Sequence, residues 1–158
     1  KLASGFCPAC ALQRAGVNLA IGTDGVASNN DLDMFGETRT AAILAKAVAE
    51  DAAAFDAFSA LRAATLGGAK AIGFDHLVGS LEPGKQADIA CVDLSALETQ
   101  PLHHVVSQLI YATGRQQVSD VWIAGKPKLS ARVLVDMDMD RIIANAKQWR
   151  GRIAAIGR

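Results

Sequence analysis

The residues best able to do chemistry follow a short apolar run near the start of the chain. Residues 17–23 are mostly apolar and lead into Gly22-Thr23-Asp24-Gly25, which leaves the carboxylate of Asp24 at the tip of the run. A continuously apolar run of this length predicts a strand buried on both faces, as in a parallel sheet. Metals and ligands bind at the carboxyl ends of such strands. We therefore predict that Asp24 is functional; the alternative is that it is an ordinary turn residue beside a glycine.

The segment after Asp24 is polar and longer than a tight turn requires. It reads Ser28-Asn29-Asn30-Asp31 and precedes a helical pattern over residues 32–48, so it is expected to cap that helix. Glu37 and Arg39 lie within this helix. We interpret them as solvated or paired helix charges rather than ligands.

The cysteines and histidines offer weaker candidates. Cys7 and Cys10 have the CxxC spacing of a redox pair or half a zinc site, but no strand is predicted before them and no second CxxC follows. We favour buried small side chains at a helix start. Cys91 lies in an apolar strand pattern and is predicted to be core. Three unpaired thiols indicate a reducing, cytoplasmic environment.

The three histidines are predicted to be structural or exposed. His103 and His104 are adjacent, and neighbours on a strand point to opposite faces, so a shared metal ion is disfavoured against a hydrogen-bonding role. His76 is expected in an exposed loop.

Composition excludes several classes of function. The 158 residues carry 16 basic and 16 acidic side chains, so the formal charge is zero and no basic patch points to nucleic acid. No apolar run approaches the roughly 20 residues of a membrane helix. The apolar content of 51% allows a sizeable core. The first residues include no initiator methionine and resemble no signal peptide, so we expect the chain to be part of a longer one.

The remaining elements are helical first and then mainly extended. Besides the strand at 17–23 and the helix at 32–48, helices are predicted over 8–15 and 53–72, with a break or close contact at Gly67-Gly68. Their many alanines favour close packing against a sheet. From Val78 the pattern becomes that of antiparallel strands. These strands are predicted over residues 87–93, 118–124 and 129–135, with a turn at Gly125-Lys126-Pro127.

The last segment predicts an amphipathic helix over residues 138–156. Its polar side is basic, which is compatible with a membrane or nucleic-acid surface. Zero net charge favours a terminal helix docked on the rest of the protein. We thus expect three parts: a barrel-type end at 1–77, an all-β module at 78–137 and a helix at 138–158.

Three stretches together resemble the C-terminal part of the amidohydrolase superfamily. They are KLASG at 1–5, GTDG at 22–25 with SNNDLDM at 28–34, and GSLEPGKQAD at 79–88. The resemblance is narrower to the 5-methylthioadenosine/S-adenosylhomocysteine deaminases and to the triazine and N-ethylammeline chlorohydrolases.

The resemblance implies an α/β fold, namely the end of a metal-dependent (β/α)₈ TIM barrel followed by part of a small composite β-sandwich and an outer C-terminal helix. Residues 17–23 would be the eighth barrel strand. Asp24 matches the aspartate that contacts the metal and handles the protons of the attacking water. Ser28 and Asn29 would line the substrate pocket. Zinc is the implied metal, another divalent ion being the alternative.

The implied function is that of a parent enzyme. The family's HxH pair, two further histidines and catalytic glutamate lie upstream of these residues, and one carboxylate is not a zinc site, so this chain alone is expected to be inactive. The parent is expected to deaminate S-adenosylhomocysteine or 5-methylthioadenosine. Alternatives are a triazine chloro- or aminohydrolase, or a non-catalytic interaction module. The resemblance also implies a homo-oligomer acting on a small molecule, with no nucleic acid or membrane partner.

Overall fold

The structure is a computed structural model that describes residues 4–156; Lys1, Leu2 and Ala3 of the first family-like stretch lie outside the described residues. Over this range the helices are α1 (Ala9–Arg14), α2 (Met34–Ala49), α3 (Ala57–Ala64), α4 (Leu66–Ala71), α5 (Val105–Tyr111) and α6 (Met139–Ile156). The strands are β1 (Ile89–Val92), β2 (Val118–Ile123), β3 (Lys126–Ser130) and β4 (Val133–Leu134).

The core lies between α2, α3 and α5 and is built largely from alanine. Its buried members are Ala42, Ala45, Phe55, Ala57, Ala60, Ala63 and Ile110. Small side chains allow the helix axes to approach closely, as the composition predicts. The helices pack on one another, however, and not on a sheet. Because Ile110 belongs to α5, this core also draws in a segment that was expected to be all-β.

The predicted strand over residues 17–23 is extended but is not part of a sheet. Its backbone hydrogen bonds include the Val17 amide, which donates to the Leu12 carbonyl at 3.0 Å, and the Ile21 amide, which donates to the Ala63 carbonyl at 3.2 Å. The Asn18 side-chain amide donates to the Gly67 carbonyl at 2.9 Å. The strand prediction is wrong, because the described strands all pair within one separate sheet and leave this segment without a ladder. Burial on both faces also fails, since Val17 is 47% exposed.

The predicted helix over 53–72 is two helices, and they meet at Thr65 rather than at the glycine pair. Thr65 has φ −119° and ψ −94°, which ends α3 and starts α4. Gly67 lies inside α4, where an added Cβ would be 2.3 Å from the Leu19 carbonyl oxygen. This glycine therefore marks a close contact with the extended segment and not a helix break.

The sheet is antiparallel throughout, with strand order β1-β2-β3-β4, as its sequence pattern predicts. The predicted turn is displaced: Ala124 and Gly125 make it, both with positive φ, while Pro127 lies in β3 opposite Trp122. The predicted third strand over 129–135 is split by Ala131 and Arg132, which also have positive φ. The described strands form this one sheet, so the sandwich stays a prediction, as do the domain boundaries.

Two further expectations about burial are wrong. Cys91 is exposed on β1, because nothing among the described residues covers that face. Helix α6 forms as predicted, with the Asp138 carboxylate accepting from the Arg141 amide at 2.9 Å. It is not docked, since none of its side chains is buried and Trp149 is 59% exposed. No helix within residues 4–156 is long and apolar enough to cross a membrane.

Candidate functional site

Asp24 lies at the end of the extended segment with its side chain held by the following loop. Its backbone is left-handed, with φ 57°, a conformation that aspartate tolerates better than most residues. The Ser28 hydroxyl donates to Asp24 Oδ2 at 2.5 Å. The two residues singled out by the sequence are therefore in direct contact.

The electrostatics of Asp24 favour its charged form. The Ser28 hydroxyl and, to a smaller extent, the Gly25 backbone amide lower the pKa of this carboxyl group below its usual value. Asp24 is exposed, so little desolvation opposes these hydrogen bonds. An ionised carboxylate at this position can accept a proton or bind a cation.

A compact turn places Ser28 against Asp24. The Gly25 carbonyl accepts from the Ser28 amide at 3.0 Å and from the Asn29 amide at 2.9 Å, while the single hydroxyl hydrogen of Ser28 goes to Asp24 at 2.5 Å. Ser28 is thus bonded to the turn by its backbone and its side chain at once. The aspartate and its hydrogen-bond donor are fixed by the same few residues.

Asn29 does not contact Asp24 and instead joins the loop to α2. Its side-chain amide donates to Glu37 Oε1 at 2.6 Å, and its side-chain oxygen accepts from the Asp31 amide at 3.0 Å. Glu37 is thus a paired helix charge, as interpreted, but its partner was missed. The available signal was an acid in the first turn of a helix that follows a polar loop.

The far end of the loop is held by the module that carries the sheet. Arg115 forms an ion pair with the Asp31 carboxylate and also donates to the Asp31 carbonyl at 3.2 Å. The two residues are 84 positions apart, and no sequence pattern connects them. Helix α2 itself is capped by Asp33, whose carboxylate accepts from the Phe35 amide at 3.0 Å, and not by residues 28–31 as expected.

A cavity of about 360 Å³ adjoins this region, between the extended segment and α2. Phe6, Gly22, Glu37 and Leu44 are among its lining residues. Glu37 on α2 and the extended segment therefore line the same cavity.

The other sequence candidates lie apart from Asp24. Cys10 is in the first turn of α1, half-buried, and its thiol contacts the Ala45 carbonyl at 3.6 Å. Cys7 is exposed, so its predicted burial is wrong, because it precedes the helix and does not face the core. His104 caps α5 by accepting from the Ser107 amide at Nδ1, at 3.1 Å, which confirms a hydrogen-bonding role. His76 is exposed, as predicted.

Arg39 of α2 is hydrogen-bonded to the backbone of the α5 region. It donates to the Ile110 carbonyl at 3.2 Å and to the Thr113 carbonyl at 2.5 Å.

The described residues can supply one ligand of a metal site, Asp24, but not a complete set of ligands. Between residues 4 and 156 no three histidine, cysteine or acidic side chains converge on a common point. A protein zinc site needs three or four such ligands. Any metal bound at Asp24 requires ligands from outside this set.

Comparisons of the sequence with family profiles and with known proteins agree on one family. The profile of the amidohydrolase family matches residues 1–128. The chain is 54% identical, over 155 residues, to the 5-methylthioadenosine/S-adenosylhomocysteine deaminase of Teredinibacter turnerae, a match that covers 98% of this chain and 35% of that protein.

Two solved structures are similar over most of the chain. A zinc-bound adenosine deaminase from Xanthomonas campestris superposes with a TM-score of 0.96 at 76% identity, covering 98% of this chain and 35% of that one. The zinc complex of atrazine chlorohydrolase from Arthrobacter aurescens superposes with a TM-score of 0.84 at 30% identity, covering 91% and 32%. The chain thus spans about a third of the length of the relatives it matches.

Proposed function

The chain belongs to the amidohydrolase family, and we propose that the full-length protein hydrolytically deaminates the adenine ring of S-adenosylhomocysteine, 5-methylthioadenosine or a similar nucleoside. The observation that carries this proposal is the 54% identity to a deaminase over nearly the whole chain. The higher identity of 76% to the adenosine deaminase from Xanthomonas campestris supports the same ring as substrate. The isolated 158-residue chain is expected to be inactive.

We assign the proton-handling role to Asp24. In this reaction water adds to the ring carbon that bears the amino group, and ammonia leaves. A carboxylate that stays ionised at neutral pH can take the proton of the attacking water and return it to the departing amine. The Ser28 hydroxyl supports this role because it lowers the pKa of Asp24 and orients one of its oxygens. Ser28 and Asn29 are proposed to lie at the substrate pocket.

We propose a divalent metal, zinc by analogy with the zinc-bound relatives, with Asp24 as one ligand. Such an ion would lower the pKa of a bound water toward neutrality. The other ligands would come from residues outside this chain. A cytoplasmic homo-oligomer is proposed as well; the three free thiols favour the cytoplasm, and the assembly rests on family resemblance.

A triazine hydrolase is the second candidate. The fold is similar to that of atrazine chlorohydrolase, and displacing chloride or an amine from a triazine carbon needs the same kind of attacking water. The lower identity of 30% places this candidate second. A non-catalytic module is the third reading.

The test is turnover by the full-length, zinc-loaded protein. S-adenosylhomocysteine is added, and the ultraviolet change from adenine to hypoxanthine is followed for the wild type, Asp24→Ala and a control, Asp140→Ala on α6. Loss of a general base typically costs about 100-fold or more, so we expect Asp24→Ala to lose at least that and the control to keep wild-type activity.

Each other outcome has a distinct meaning. Turnover that survives in Asp24→Ala would refute the role of Asp24. A folded, metal-loaded wild type without adenine turnover would refute the deaminase, and atrazine turnover would then favour the second candidate. Inactivity on both would favour the non-catalytic module.

A further inference from the structure

Glu37 joins the loop after Asp24 to α2, a helix that contributes to the buried core. It lies in the first turn of α2, where its amide donates to the Asp33 carbonyl at 2.9 Å. Its Oε1 accepts from the Asn29 side-chain amide at 2.6 Å. The residue is half-buried, and a hydrogen bond to a carboxylate is stronger than one between neutral groups.

We propose that Glu37 is a positioning residue, which acts through Asn29 to hold Ser28 in hydrogen-bond contact with Asp24. This inference rests on the proposed function for its catalytic consequence. Its structural content, the dependence of the loop on Glu37, stands without it.

The path from Glu37 to Asp24 is continuous. Glu37 holds the Asn29 side chain, and the Asn29 backbone amide donates to the Gly25 carbonyl. That carbonyl also accepts from the backbone amide of Ser28, whose hydroxyl donates to Asp24. Each link is 3.0 Å or shorter.

A second anchor of the loop is an ion pair at its far end. The ion pair of Arg115 and Asp31 lies beyond Asn29 and joins two side chains that are each 61% exposed. Exposed ion pairs contribute little to stability and are weakened by salt. The half-buried contact to Glu37 lies between that pair and the Gly25 turn, so it controls the end of the loop that carries Ser28.

The test compares Glu37→Ala, Glu37→Gln, Asn29→Ala and the double variant Asn29→Ala/Glu37→Ala in the full-length protein. Glu98→Ala is the matched control, because Glu98 also accepts a side-chain amide, that of Gln117 at 2.7 Å. Two properties are measured: amide hydrogen exchange at residues 28 and 29, and kcat and KM for S-adenosylhomocysteine.

We expect Glu37→Ala to speed exchange at residues 28 and 29 about tenfold, since local opening sets exchange rates. Misplacement of a catalytic group lowers the rate of the chemical step, so kcat should fall about tenfold or more while KM changes less than about threefold. Gln retains the accepting oxygen and should restore both properties. The double variant should be no worse than the single variants, because both remove one contact.

Unchanged exchange in Glu37→Ala, or equal exchange in Glu37→Gln and Glu37→Ala, would overturn the proposal. Equal losses of kcat in Glu37→Ala and Glu98→Ala would overturn it too, since they would reflect general stability. If the wild type does not deaminate the nucleoside, the proposed function fails, and the exchange measurement alone decides the role of Glu37.

Discussion

Ser28 and Asn29 are neighbours in the sequence yet face different partners. Ser28 hydrogen-bonds to Asp24, whereas Asn29 bonds to Glu37 on α2. Within one turn, Ser28 lowers the pKa of the Asp24 carboxyl group and the next residue, Asn29, anchors the loop to α2. A substitution of Ser28 should change the hydrogen bonding of Asp24 directly, whereas a substitution of Asn29 should change it through the mobility of the loop.

Asp93 provides a second carboxylate, half-buried, whose ionisation is coupled to folding. The Ser95 hydroxyl, the Ser95 amide and the Arg132 guanidinium together lower its pKa to about 2. An unfolded aspartate titrates near 3.9, so the folded state favours the charged form. This contribution is complete above pH 3.9 and is lost as the pH falls through about 2.

We therefore predict that Asp93→Asn lowers the free energy of unfolding at pH 7 and that the difference from the wild type disappears as the pH falls from about 4 to 2. Urea unfolding at a series of pH values measures it. Glu50→Gln, at an exposed helix end, serves as the control. A constant difference across this range would contradict the coupling.

Among individual residues, the sequence predicted a cluster correctly where the functional side chains lie close together along the chain. Asp24 and Ser28 are four positions apart, within one polar loop, and they contact each other. Arg115 was out of reach because its partner Asp31 is 84 residues away and the ion pair depends on how the sheet is placed. The role of Glu37 was missed because a helix-terminal acid usually interacts only with the helix dipole.

At the element scale, Gly67 fixes how closely α4 approaches the extended segment. An added Cβ would lie 2.3 Å from the Leu19 carbonyl oxygen, which is backbone and cannot rotate away. We predict that Gly67→Ala destabilises the fold by about 1–3 kcal/mol, as overpacking does. The fall would appear in the urea midpoint.

Gly68 is the matched control. Its added Cβ would meet the Ala63 carbonyl at 3.7 Å, an ordinary contact. Because alanine favours a helix by up to about 1 kcal/mol over glycine, Gly68→Ala should be neutral or stabilising. Equal effects of the two substitutions would rule out the close contact as the reason for Gly67.

Helices α2 and α6 were predicted closely, for a physical reason, although α5 was missed. A helix closes its hydrogen bonds within one segment, so α2 and α6 begin and end within about two residues of the sequence-based bounds. A strand needs a partner, and residues 17–23 have none among the described strands. The turn at Ala131-Arg132 was missed because it contains neither glycine nor proline.

At the scale of the whole molecule, α6 presents an uncovered apolar stripe. Its members recur at steps of four and three: Ile142, Ala146, Trp149, Ile153 and Ile156. Large exposed apolar patches promote association. We predict that the isolated chain self-associates, and that Trp149→Ser with Ile153→Ser shifts it toward a monomer in light scattering.

A control on the polar side of the helix, Lys147→Ser with Arg150→Ser, should leave that association in place. A monomeric wild-type chain at the same concentration would refute the prediction. Dissociation by the charge variant instead would assign the association to electrostatics.

The contact between Arg115 and Asp31 links two segments of the chain that recombination with a relative could separate. The arginine belongs to the segment that leads into β2, while the aspartate belongs to the loop that follows Asp24. A crossover between positions 31 and 115 would combine a loop from one parent with an arginine segment from another, and the two would not have evolved together. Chimeras that exchange only the sheet segment with a relative should therefore work best when residues 31 and 115 are inherited from the same parent.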